Sequence, residues 1–393
     1  MKKLLLVLTI LANMLLGGCL SEEINDIGIA VSVGIDKSED GYLVTYQVMN
    51  PKAISAKAPN EAPIVLYTES GKDLFQIIRK ITEQSPRKMY HSHMRTVIFG
   101  EEVAKEGIKD MLDFFVREHE YRTDFYFLVA KGTTAHNILK VITPLETVSQ
   151  MEVYHAIEKS QKVWAPTKPI KIFELVNKII SDGDNPVMTG VEILDPNDKS
   201  DSNDNLKLSD GTKLRVTSLG VFKKDKLKGW LTEDESRAYN YIIGNVKSTA
   251  GYIEYEQNHI SFEVIKAETK RKVYMLNGKP AINVEISLTH DINASKADLD
   301  FTDEDVIKKV NDTAEEKLTM LCNNVVKRVK EDFGSDIFGF GEDIHRAYPK
   351  LWKDIKGDWN NEFTKLPVNF TVKIKLNNLG EGTKSIFSKG DSK

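Results

Sequence analysis

The sequence predicts an α+β protein of several domains, with mixed and antiparallel sheets flanked by helices. Three observations carry this. Strand-like alternation and helix-like stripes interleave from Ile29 to Ser181. Beyond Asp210, long extended runs dominate, and Asn277-Gly278 joins two of them with a hairpin turn signal. Finally, the chain has 393 residues, more than one hydrophobic core supports, which gives two or three domains.

The first segment is a leader. Lys2 and Lys3 are a positive start, Leu4 to Leu16 are apolar apart from Thr9 and Asn13, and Gly17 and Gly18 precede Cys19. A signal peptidase needs small residues at its cut. A cysteine directly after that cut resembles a bacterial lipobox, so the leader reads as a lipoprotein signal peptide. The resemblance implies cleavage between Gly18 and Cys19, a thioether-linked diacylglycerol on the Cys19 sulfur, and acylation (N-palmitoylation) of the new amino group. An ordinary secretory signal would carry Ala-x-Ala and need no cysteine. A retained transmembrane anchor needs about 20 apolar residues, and this stretch is shorter. Two or three acyl chains give stable anchoring without spanning the bilayer.

Ile29, Val31, Val33 and Ile35 alternate as a strand, Ser38 to Gly41 turn, and Tyr42 to Val48 alternate back, which makes a hairpin. Lys52 to Pro63 reads as an exposed loop and Ile64 to Thr68 as a strand. Ser70 is placed to cap a helix over Lys72 to Gln84, which Ser85-Pro86 stops. Thr96 to Phe99 is a buried strand. A helix over Glu101 to Glu118, a strand over Asp124 to Ala130, and helices over Thr134 to Ile142, Glu146 to Lys159 and Ile170 to Ser181 follow.

Asp195 to Asp210 is polar and aperiodic, a domain boundary or a long surface loop. Leu214 to Phe222 and Leu227 to Leu231 are strands around a Lys223 to Lys226 turn. Thr232-Glu233-Asp234-Glu235 is a capping box opening a helix through Ile243. Tyr252 to Glu256, Ser261 to Leu276 and Ala281 to His290 are extended. Thr302 and Asp305 are placed to cap a helix from Asp303 to about Lys330, a second helix covers Gly341 to Ile355, and Val368 to Leu376 is a last strand. The C-terminal half thus reads as an antiparallel sheet with helices on it. The divisions are a leader (1–18), an N-terminal α/β domain (19–194), a polar linker or loop (195–212) and a β-rich middle region with one helix (213–290). C-terminal helices plus the final strand (291–380) and a polar tail (381–393) complete the chain.

Charge and cysteine usage narrow the function. The formal net charge is −4 with the leader and −6 without Lys2 and Lys3, which offers no footprint for nucleic acid and no polybasic run for a membrane. With Cys19 lipidated, Cys322 has no partner, so no disulfide framework exists. Cys322 shares a helical stripe with Leu318, Val325 and Val329, which makes it a buried apolar side chain rather than a reactive thiol.

Catalytic and metal motifs fail on inspection. His91-Ser92-His93 offers two ligands where zinc needs three or four. Asp291-x-Asn293-x-Ser295 starts like a calcium loop, but Lys296 and Thr302 stand where glycine and glutamate are required. Gly382-Thr383-Lys384-Ser385 and Gly339-Phe340-Gly341 lack the remaining glycines of phosphate and dinucleotide loops. No cofactor is expected, and nothing points to an enzyme. Trp164, Trp230, Trp352 and Trp359 read as core or interdomain aromatics, any of which could instead mark a partner surface.

Several blocks carry a family resemblance. Glu23 to Asp36 resembles the mature N-terminus of the Ger(x)C lipoproteins, the C subunits of nutrient germinant receptors in spore-forming bacteria. His93 to Glu102 with the following helix and the Asp124 to Gly132 strand, Gly220 to Thr232, and Asp336-Ile337-Phe338-Gly339-Phe340-Gly341 are similar to the same family. The last block continues through Tyr348-Pro349, Trp352 and Trp359 to the Leu366 to Leu376 strand. Family members often carry Trp then Asp after the lipidated cysteine, whereas Leu20 and Ser21 stand here.

The resemblance implies three domains and no catalysis. It implies a lipid anchor through Cys19 on the outer face of the spore inner membrane. It also implies membrane partners, subunits A and B, in a complex that starts germination in response to nutrients. Contact with the nutrient itself stays open. The alternative is a lipid-anchored solute-binding protein, which would need two doubly wound lobes around its ligand.

Overall fold

A computed structural model describes residues 27–54, 61–146, 148–255, 258–295 and 299–378. The leader, Gly18, Cys19 and the polar tail lie outside these residues. The described chain is of mixed α and β structure and builds two sheets with helices against them.

The first sheet has nine strands: β1 (Ile27–Ser38), β2 (Gly41–Met49), β3 (Ile64–Gly71), β4 (Lys88–Tyr90), β5 (Thr96–Gly100), β6 (Tyr126–Ala130), β7 (Val187–Leu194), β8 (Lys213–Lys223) and β9 (Lys226–Trp230). Their order is β3-β2-β1-β5-β6-β7-β8-β9, with β4 beside the start of β1. β1, β4, β5, β6 and β7 run parallel, and the β3-β2, β2-β1, β7-β8 and β8-β9 pairs are antiparallel. Strands β5 and β6 are buried at every residue, as parallel strands covered on both faces must be.

Both covers are helical. On one face lie α1 (Leu74–Lys80), α2 (Glu101–Glu106), α3 (Lys109–Arg117) and α6 (Ile172–Ile180), packed on Phe99, Phe127 and Met188. On the other lie α4 (Ala135–Lys140) and α5 (Ser149–Val163), packed on Ile98, Leu128 and Val191. Asp36 fixes α4 to the sheet, because its carboxylate accepts from the Ala135 and His136 N–H groups at 2.8 Å each.

The second sheet contains β10 (Thr249–Tyr255), β11 (Asn258–Leu276), β12 (Lys279–Ser295) and β13 (Val368–Asn378), in that order. Helices α7 (Glu233–Ile242), α8 (Glu304–Arg328), α9 (Phe340–Ala347), α10 (Pro349–Ile355) and α11 (Trp359–Lys365) supply the rest of its core. The Asn277-Gly278 turn is present, with φ of 50° and 79° as a two-residue primed turn requires. The α7 capping box is also present: the Thr232 hydroxyl accepts from the Glu235 N–H, and the Glu235 carboxylate accepts from the Thr232 N–H. Thr232→Ala should therefore cost about 1 kcal/mol, measured by chemical denaturation. A loss under a few tenths would show that the cap contributes nothing.

Several expectations need correction. The last strand does not extend an antiparallel sheet: β13 runs parallel to β12. Helices α8 to α11 form a crossover between them, and a crossover returns the chain in its original direction. Ser70 lies in β3, and Asp73 caps α1 instead. The single helix expected over Glu101 to Glu118 breaks at Gly107, whose φ of 134° no helix accepts. Asp303 caps α8 rather than Thr302 or Asp305. The helix expected over Gly341 to Ile355 divides at Tyr348-Pro349, and α11 was not anticipated. Neither was β7. Pro51–Ile54 forms one helical turn within the expected loop.

The polar segment 195–212 joins β7 to β8, which are paired neighbours in one sheet. Asn205 ties it down, its side chain donating to the Ile142 and Thr212 carbonyls at 2.8 and 2.9 Å. Strands β8 and β9 therefore complete the first sheet, and main-chain hydrogen bonds cross the division drawn at 195–212.

Candidate functional site: the joint between the sheets

Two sequence blocks that are far apart in the chain meet where the sheets join. The β8–β9 block lies against the segment that follows α8. The Ser335 hydroxyl donates to the Phe222 carbonyl at 2.7 Å, and the Asn185 N–H donates to the Asp336 carbonyl at 2.7 Å. Asn185 in turn accepts from the Lys224 N–H at 2.7 Å. Arg328 donates to the Trp230 carbonyl at 3.1 Å and pairs with Glu235.

At the centre, Asp336 is fully buried. Its carboxylate accepts from the Phe338, Gly339 and Gly341 N–H groups at 3.0, 3.0 and 2.9 Å, and from the Trp359 indole at 3.2 Å. Burial, followed by the charge of Asp184, pushes this carboxyl up to about 7, and the donors pull the other way. Gly339 has a φ of 74°, which explains one glycine of the run. Gly341 and Gly183 press backbone on backbone; a Cβ on Gly341 would lie 2.5 Å from the Gly183 Cα. Around this core, Arg271 grips Asp343 at 2.9 Å, Lys178 pairs with Asp184, and Trp352 packs edge-on to Trp359 at 5.2 Å. The arrangement offers anchoring: each oxygen of Asp336 already holds two donors.

The other singled-out residues separate. His91 is buried between Tyr46 and Tyr121, ring centroids 5.4 and 4.6 Å away, with its Nδ1 3.2 Å from Glu120. His93 instead lies against Tyr90. Among the described residues no group of three His, Cys, Asp or Glu side chains could hold a metal ion. Asp291, Asn293 and Ser295 are strand residues of β12, not a loop. Cys322 is fully buried, and burial pushes its thiol up to about 12, as an inert core residue. Trp352 and Trp359 are core, Trp230 lines the joint, and Trp164 stays 39% exposed. No described helix is long and apolar enough to cross a membrane.

The joint is built from residues 220–232 and 336–341, and both blocks fall inside one family model. "Spore germination B3/ GerAC like, C-terminal" matches residues 217–380, and "Spore germination protein N-terminal domain" matches residues 21–193. This chain belongs to the Ger(x)C family. Spore germination protein KC of Bacillus subtilis (strain 168) is 28% identical over 96% of each chain. Spore germination protein B3 of the same organism is 22% identical over 91% of this chain and 93% of its own. The crystal structure of the GerBC protein matches with a TM-score of 0.55 at 19% identity, over 88% of this chain and 96% of that one. The gap between the two matched stretches overlaps the polar 195–212 segment.

Sequence reasoning flagged Asp336 to Gly341 but missed their partners Gly183, Asp184 and Asn185. Those partners lie about 150 positions away in the chain, and no periodicity connects segments so distant.

Proposed function

We propose that this chain is the C subunit of a spore nutrient germinant receptor. It is a non-catalytic lipoprotein held on the outer face of the spore inner membrane, working with the A and B membrane subunits. The observation that carries this is the placement of the family match. It starts at residue 21, two residues past the cysteine of the Leu16-Gly17-Gly18-Cys19 run, and its two stretches end at residues 193 and 380. Relatives over nearly the whole length carry spore germination names. Strand β1 starts eight residues after Cys19, a reach of at most about 28 Å, so the body stays close to the bilayer. Confinement there raises the effective concentration of membrane partners, and individual interfaces can be weak. The rival reading, a solute-binding protein, needs a second doubly wound lobe, and the second sheet has three antiparallel strands and one parallel.

Cys19→Ala tests the proposal. The variant should leave the membrane fraction and lose or slow the nutrient response, while a trigger that bypasses the receptors still works. Mass spectrometry of the wild-type chain should find diacylglycerol on Cys19. A bare Cys19 sulfur, or an unchanged Cys19→Ala phenotype, would refute it.

A further inference from the structure

A cleft of about 660 Å³ opens where α7 and α8 meet the start of the second sheet. That is within the usual range of small-molecule sites, about 300–1,000 Å³. Its floor is apolar, with Phe262, Leu288, Leu318 and Ile374 among the lining residues. Two cations stand at its mouth, each laid on an aromatic ring: the Arg237 guanidinium 4.5 Å from Trp164, and the Lys317 ammonium 3.8 Å from Tyr252.

These two cations differ in what they already hold. Lys317 donates to the Tyr252 carbonyl at 2.8 Å. Arg237 has no such bond. Its buried Nε has no hydrogen-bond partner, and none of the described carboxylates forms an ion pair with it. Glu233, on the same rim, is taken by the Trp164 indole N–H at 2.9 Å. Asp234 and Glu263 also line the cleft without engaging the guanidinium. Arg237 is half-buried on the cleft wall, and a guanidinium without an acceptor there is open to an oxyanion.

The wall that presents Arg237 is also built under constraint. Ala165 holds a φ of 62°, a left-handed backbone for a residue with a Cβ. Thr249 donates to the Trp164 carbonyl at 2.8 Å, and Asn240 donates to the Ala165 carbonyl at 2.8 Å. Those bonds fix the backbone of Trp164 and Ala165, and the Trp164 indole, bonded to Glu233, stays 39% exposed at the mouth.

We infer that this cleft binds a small anionic amphiphile, its apolar chain along the floor and its oxyanion head on Arg237. Carboxylate and phosphate heads share the needed chemistry, and the two sources separate in the test. The inference stands apart from the germination role.

The test uses residues 20–393, which contain every described residue, with folding verified by a cooperative melt. Calorimetric titration with dodecanoate and with dodecyl phosphate should show one site for at least one of them. Whichever binds names the head. Dodecanol should bind at least about tenfold more weakly, the loss of a charge-assisted bond. Arg237→Gln should erase that preference, and Leu318→Trp should block binding by filling the floor; Ala314→Leu narrows the same space if Leu318→Trp does not fold. Binding of neither anion, or equal anion binding by wild type and Arg237→Gln, would overturn the inference. So would full binding by the filled cleft.

Discussion

Asp336→Ala should remove about 4 kcal/mol or more of folding stability, the largest loss expected from any single side chain in this molecule. The substitution orphans three buried N–H groups and an indole N–H at once. Each unsatisfied buried donor costs about 1–3 kcal/mol, and whole domains have only about 5–15 kcal/mol to lose. Chemical denaturation should show the transition moving far to lower denaturant. A loss under about 1 kcal/mol would mean that the donors find other partners and that the carboxylate is not the centre of the joint.

A pH series gives a second readout of the same group. The folded carboxyl titrates near 7, above its ordinary unfolded value of 3.8. Between these pH values the folded state holds a proton that the unfolded state has released. This group's contribution to stability therefore falls as pH rises from about 4 to about 7. Burial raises Asp184 too, and its slope has the same sign. Asp336→Asn cannot titrate and should flatten the slope across that window, whatever it does to stability overall. An unchanged slope would assign the pH dependence elsewhere.

Gly341→Ala is the second large effect. The new methyl would lie 2.5 and 2.8 Å from Gly183 main-chain atoms and 2.8 Å from the Trp359 ring. Backbone cannot rotate away as a flexible side chain can, so the joint must part. We expect a loss of about 3 kcal/mol, the upper end for overpacking, with melting lowered by several degrees. Gly183→Ala should do the same from the other side, because its Cβ would meet the Gly341 backbone at 2.8 Å. The double variant should lose less than the two single losses added together, since the first already opens the contact. Gly357→Ala, with nothing within 4 Å, should be nearly silent and serves as the control. A harmless Gly341→Ala would show that the backbones do not press together.

How much of this was legible beforehand depended on distance along the chain. The β1–β2 hairpin, the α7 capping box, the Asn277-Gly278 turn and the burial of Cys322 were all readable, because each rests on neighbours within a few residues. Helix ends were less so. Ser70 and Asp73 are both acceptable caps, and only the length of β3 chose between them. Strand β7 was missed since its Val187–Leu194 run mixes apolar residues with Thr189, Gly190 and Glu192 and shows no clean alternation.

By itself the sequence supplied the expectation of a leader ending at Cys19, the alternation of strands and helices, and the run of blocks that marks the family. All three are local patterns, set by hydrophobic periodicity and by side chains that act on their own backbone. The tertiary structure alone decided that β13 runs parallel to β12, that residues 195–212 connect neighbours in one sheet, that Asp336 meets Asn185 and that Gly341 meets Gly183. It alone placed Trp164 and Arg237 over an apolar cleft. Those facts depend on which distant surfaces exclude water together, and a chain read one residue at a time does not contain that information in any local window.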